Sequence, residues 1–264
     1  MPHRKWGNLV MQADKARVFA KLHVKGDPIV LYNIWDAGSA KAIADAGAKA
    51  LATGSWSVAA AQGYTDGEAI PLDFALEIVA RIAASVDLPL TVGFGGGSAA
   101  ELERLGRNGA GLIQAGAIGI NFEDQKVGGS GLYDLEFQHA RVAAVRRAAE
   151  AAGLPLFINA RTDLFLKERA RGKHAQLLSE AKERAASYKE AGASGFFVPG
   201  LVDPALIADI CGAVALPVNV MMMDGAPTLN ELASVGVARI SYGPMPYRQS
   251  MAALAEAYRG IGRT

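Results

Sequence analysis

Two kinds of apolar pattern alternate along this chain. Short runs rich in Val, Ile and Leu occupy residues 28–35, 49–53, 88–92, 117–122, 155–160, 195–198, 217–221 and 238–242. Runs of this length, bounded by Gly, Pro or acidic residues, predict buried β-strands. Between them, apolar residues recur at helical spacing over 71–85, 98–115, 134–152, 176–191, 204–211, 229–235 and 245–258, with a further helix opening at Ala37. Asp36 stands before that helix as a candidate N-cap, and Gly47 ends it. An amphipathic helix within residues 1–26 precedes the first strand.

Four helix ends share one phrase: DAGAKAL, QAGAIGI, EAGASGF and SVGVARI. Each places a Gly at the helix stop and a strand about three residues later, as a helix C-cap followed by a tight turn would. The phrase marks a repeating βα unit, and no Pro/Ser-rich linker divides the chain. Eight such units in 264 residues predict a single-domain α/β fold, a (β/α)8 TIM barrel over residues 1–264, with a doubly wound open sheet as the alternative.

Composition narrows the function classes. Lys plus Arg number 27 against 26 Asp plus Glu, so there is no electrostatic footprint for nucleic acid or an anionic membrane. The single cysteine, Cys211, excludes an internal disulfide framework. No apolar run approaches a membrane span and no secretory h-region is evident, so the expected location is the cytoplasm.

In a barrel the strand ends converge on one face, where ligands bind. The polar set there comprises Asn33 and Asp36 after the first strand, then Thr53, Gly54, Ser55 and Trp56 after the second. Glu123 and Asp124 follow the fourth, Arg161, Thr162 and Asp163 the fifth, and Asn219 and Tyr242 lie in the seventh and eighth. Asp66 sits in the loop beyond the second strand. Arg161 offers a planar fork for a carboxylate or phosphate, or an ion pair with Asp163 or Glu123. Residues 93–97 (GFGGG) form a Gly-rich turn able to present backbone N–H groups to an anion. Ser98 spoils the dinucleotide fingerprint there. Cys211 and the four histidines fall in helices or the N-terminal segment, where packing and surface roles are commoner than nucleophilic ones.

The strand-end phrases NIWDAGSA from Asn33, ALATGS from Ala50, GYTDGE from Gly63, INFED from Ile120, INARTD from Ile158 and FVPG from Phe197 resemble those of the isocitrate lyase/phosphoenolpyruvate mutase superfamily. The resemblance spans almost the whole chain. It implies an α/β barrel whose C-terminal helix swaps onto a neighbouring subunit in a homodimer or homotetramer. It implies a small anionic substrate, a 2-oxo acid or dicarboxylate, whose C–C or P–C bond is cleaved or rearranged through an enolate-like intermediate. It implies Mg2+ as cofactor.

By the same resemblance, Arg161 holds the substrate carboxylate, and Gly54, Ser55, Trp56 and Asn219 line its binding site. Glu123 and Asp66 serve as catalytic acids and as metal ligands through water. The resemblance breaks at Gly93 and Gly95, where family members carry acids that anchor the metal, and in residues 125–131, which lack the catalytic Cys loop of the lyases. The alternative is a repurposed, metal-free barrel that binds an anionic metabolite without turnover.

Overall fold

The computed structural model describes residues 3–261 except 66, 68 and 127, with side chains from residue 9 onward. Eight strands form one parallel sheet: β1 (Ile29–Leu31), β2 (Leu51–Ala52), β3 (Leu90–Gly95), β4 (Gly119–Glu123), β5 (Phe157–Arg161), β6 (Gly195–Phe197), β7 (Val218–Met221) and β8 (Arg239–Ser241). Their order is β1-β8-β7-β6-β5-β4-β3-β2. The ends of this sheet meet beyond the strands themselves. Ile34 N donates to Ala52 O at 2.8 Å and Gly54 N to Ile34 O at 3.3 Å, which closes the barrel. Asn33 fastens the same seam, donating to Thr53 O (3.1 Å) and accepting from Tyr242 N (3.1 Å) and Gly243 N (2.8 Å).

The helices are α1 (His3–Lys21), α2 (Ala37–Asp45), α3 (Ser55–Ala61), α4 (Leu72–Ser85), α5 (Leu102–Gln114), α6 (Leu135–Ala151), α7 (Leu164–Lys167), α8 (Leu178–Glu190), α9 (Pro204–Ala213), α10 (Leu229–Ser234) and α11 (Met245–Ile261). A 3-10 turn, Arg171–Leu177, leads into α8. The start signals are local. Asp36 accepts from Ser39 N in a reciprocal capping box, and Asp134 and Asp203 cap α6 and α9. The four repeated stops place Gly47, Gly116, Gly192 and Gly236 at φ of 94°, 102°, 97° and 88°, the left-handed cap that only Gly adopts without strain.

Two differences from the sequence pattern matter for the site. The short helix α3 follows β2 directly, where the periodicity gives no signal. The helix expected from Ser98 starts only at Leu102, because Gly97 and Ser98 both take positive φ (81° and 53°) and hold residues 98–101 as a loop.

Helix α1 covers the N-terminal end of the barrel. Gln12 Nε2 donates to Ile113 O and Ala117 O (2.8 and 2.9 Å), Phe19 meets Phe157 edge-on, and His23 stacks on Phe157 at 4.1 Å. At the other end of the chain, α11 touches the barrel mouth only through its first turns. Tyr247 lies 5.2 Å from Trp35 and 5.8 Å from Trp56. Beyond that, Leu254, Tyr258 and Ile261 are 66%, 77% and 73% exposed. The outward-facing Val30 of β1 is correspondingly 40% exposed, because no helix folds back over it. Among the described residues, no helix is long and apolar enough to cross a membrane.

Candidate active site

The strand ends and their loops enclose a cavity of about 410 Å3. It is walled by Ser55 and Trp56 at the start of α3, by residues 93–96 and Ser98, by Glu123 and Arg161, and by Met221, Pro244 and Arg248. Glu123 and Arg161 are register partners on adjacent parallel strands, so their side chains leave the sheet side by side on the inner face. Arg161 Nη1 lies 2.9 Å from Glu123 Oε1, while its Nε and Nη2 reach the two oxygens of Asp163 at 2.6 and 3.2 Å. Burial works against the guanidinium charge. Glu123 first and Asp163 next outweigh that effect and hold Arg161 charged above its ordinary range. Both ion pairs that the sequence allowed are therefore present, and a ligand carboxylate has to share Arg161 with them.

The adjacent acids Glu123 and Asp124 have opposite placements. Glu123 borders the cavity, whereas Asp124 is fully buried behind it. Asp124 accepts from Asp163 N (3.0 Å) and Tyr188 Oη (2.9 Å) and pairs with Arg184 Nη1 at 3.2 Å. Burial pushes its carboxyl up, and these donors offset that rise only in part. The web ties β4 and β5 to α8 and so fixes the frame on which Arg161 sits.

The Gly-rich turn is held from outside the cavity. Arg141, wholly buried, lies over the rings of Phe122 and Tyr133 and donates to Gly96 O and to Ala99 O (3.2 Å); Asn108 Nδ2 donates to Gly97 O at 2.8 Å. Gly93 N donates to Thr53 Oγ1 at 3.0 Å. A Cβ on Gly93 would stand 2.8 Å from Ser55 N and 3.2 Å from Ser55 Cβ. The absence of a side chain at 93 thus lets the start of α3 settle against β3.

The residues singled out from sequence are only partly brought together. Ser55, Trp56, Glu123 and Arg161 share the cavity wall. Gly54 sits behind them as the α3 N-cap. Asn219 does not reach the cavity: it is buried in the barrel interior, exchanging hydrogen bonds with Ser241 at 3.2 Å. Asp66 lies outside the described residues. Cys211 is buried in α9 and burial pushes its thiol up to about 11, which leaves it no nucleophilic role. Sequence reasoning missed Arg248, which lies over the Trp56 ring at 4.6 Å, and Lys126; both line the cavity. Helical periodicity places Arg248 on α11 but carries no signal that the first turns of that helix reach the mouth.

The described residues do not fit a protein-held Mg2+. Among them no three His, Cys, Asp or Glu side chains converge on one point. Glu123 is already engaged by Arg161, and an acid at 93 would collide with Ser55. Mg2+ wants an octahedron of oxygens, and one shared carboxylate is a poor start.

A solved structure of a candidate phosphonomutase from Burkholderia cenocepacia J2315 superposes with a TM-score of 0.92 at 48% identity, covering 94% of this chain and 99% of that one. An uncharacterised protein of Mycobacterium tuberculosis is 32% identical over 243 residues, 92% of this chain and 88% of its own. The 2-methylisocitrate lyase of Escherichia coli is 29% identical over 252 residues, 92% and 82% of the two chains. The family model for phosphoenolpyruvate phosphomutase matches residues 19–262. Barrel, strand-end residues and sequence agree, and the chain belongs to the phosphoenolpyruvate phosphomutase family within the isocitrate lyase/phosphoenolpyruvate mutase superfamily.

Proposed function

We propose that the protein is an enzyme that cleaves or rearranges a C–C or P–C bond in a small 2-oxo acid or dicarboxylate through an enolate-like intermediate. The observation that carries this reading is the Glu123–Arg161 pair on register positions at the mouth of a barrel of this family. Arg161 takes the substrate carboxylate with the donors left by Asp163 and Glu123, and a ligand that displaces Glu123 gains a bidentate grip. The displaced Glu123 then stands beside the reacting carbons as the proton acceptor or donor. For a 2-hydroxy dicarboxylate, a base removes the hydroxyl proton and the C–O bond becomes a carbonyl. The scissile C–C pair passes to the departing carboxylate fragment as its enolate. That enolate takes a proton to complete the reaction. Arg161 and the polar rim stabilise the developing oxyanion, which is where electrostatic catalysis contributes most. No step runs through Mg2+, since the described donor set does not fit it.

The test is turnover of the purified protein on phosphonopyruvate, oxaloacetate and 2-alkyl- and 2-hydroxy-dicarboxylates, with released oxo acid followed by a coupled dehydrogenase. The expected result is turnover of at least one, lost in Glu123→Gln. Binding of oxalate-like anions through Arg161 without turnover of any would instead establish the metal-free binding barrel, the reading that the Gly93–Ser55 contact favours.

A further inference from the structure

The cavity is chemically lopsided. Of its charged groups, Glu123 and Arg161 stand together at the β4–β5 side, Lys126 lies in the loop after β4, and Arg248 lies over Trp56. On the far side of β3 the cavity lining continues onto the helix layer with Val58 and Ala59 of α3, Leu72, Ala75 and Val79 of α4, and Leu112 of α5, of which Leu72 and Ala75 are partly open and the others are buried. Val92 and Phe94, the outward residues of β3, supply its floor. A volume of about 410 Å3 falls in the roughly 300–1,000 Å3 range of sites that take drug-sized ligands, whereas a three- or four-carbon oxo acid has only about six to nine non-hydrogen atoms. A ligand of that size bound at Arg161 leaves the apolar annex to water, which such a wall solvates poorly. We propose that the substrate carries a hydrocarbon tail: an acid whose carboxylate head meets Arg161 and whose aliphatic chain crosses the Gly-rich strand end into the annex of Leu72, Ala75, Val79 and Leu112. Gly95 and Gly96 line the same cavity without adding a side chain to it, while Ser55 occupies the space beside Gly93. This inference rests on the anionic-substrate reading above.

The test is calorimetric binding of straight-chain 2-oxo acids from pyruvate to 2-oxodecanoate, with 1-hexanol as a headless probe. Each buried methylene is expected to tighten binding about three- to fourfold until the annex is full. Arg161→Ala should weaken every acid by a similar factor and leave the slope with chain length. Ala75→Phe, which fills the annex, should flatten that slope, with circular dichroism confirming that the variant is folded. Should Ala75→Phe fail to fold, Leu72→Ala carries the same test by moving the plateau to longer chains. Pyruvate binding with no gain along the series, or a plateau that Leu72→Ala does not move, overturns the tail and leaves the oxo-acid reading intact. Binding of 1-hexanol with no acid bound at any length overturns both, because the head site would then not exist.

Discussion

The Gly93–Ser55 contact sets a barrier to building the acidic metal site that the family resemblance implies. Consider Gly93→Ala. The new Cβ would meet Ser55 N at 2.8 Å and Ser55 Cβ at 3.2 Å, and the closer neighbour is backbone that cannot rotate away. Overpacking of this kind costs about 1–3 kcal/mol, and α3 must lift off β3 to relieve it. Gly95 adds a second obstacle, because its φ of 56° costs an L-residue roughly 1–2 kcal/mol. Gly93→Asp with Gly95→Glu should therefore lose about 2–5 kcal/mol in total, a large share of a typical stability of about 5–15 kcal/mol. Urea denaturation measures the loss, and calorimetry with Mg2+ on the folded fraction measures any gain. The expected outcome for the double variant is a lower midpoint and still no tight Mg2+ binding without substrate. Gly93→Ala within 0.5 kcal/mol of the parent, as a surface change typically is, would refute the steric argument. Tight Mg2+ binding by the unaltered protein would refute the reading of the donor set.

Three further outcomes are expected. Arg161→Ala should weaken anionic ligands by about 2–5 kcal/mol in calorimetry, and unchanged affinity in a folded variant would remove Arg161 as the anchor. His23 is buried against Phe157, and burial first, Arg239 second, lower it from 6.5 to about 3. The unfolded chain takes up this proton between those values and the folded chain does not, so stability is full above pH 6.5 and declines as pH falls toward 3. The loss is on the order of 4–5 kcal/mol at the lower end, read as a shift in urea midpoint that is absent in His23→Phe. Helix α11 should mediate dimers or tetramers by docking on a second copy, where the bare face around Val30 gives it a seat; light scattering that returns a monomer at micromolar concentration would count against it.

Much of the scaffold was legible because its signals are local. Asp36, the four Gly stops and the apolar runs depend on neighbours within a few residues, and they placed the strands of the barrel within a few residues. The site was legible where a strand's two-residue period fixes the face, as for Glu123 and Arg161. That period says nothing about depth, which is why Asn219 reads as a rim residue yet lies inside the barrel with Ser241. Helix α3 was missed because it starts directly after β2 behind Gly54, with no side-chain cap to mark its start, whereas the shorter α10 is announced by the Thr228 capping box. The meaning of Gly93 could not be read either, since its neighbour Ser55 is 38 positions away and the contact exists only once β2 and β3 are paired.

Glu123 and Asp124 are joined by one peptide bond, yet they differ in what a mutation can do to the molecule. In a library randomised at both positions, variants at 123 should spread across altered chemistries while remaining soluble, because that carboxylate borders open space. Variants at 124 should drop out at the expression step, since they leave the buried Tyr188 hydroxyl without its acceptor and reduce Arg184 to its pairing with Glu180 and Tyr133 O. A selection for new activity on this barrel would therefore find its raw material at one residue and its casualties at the next.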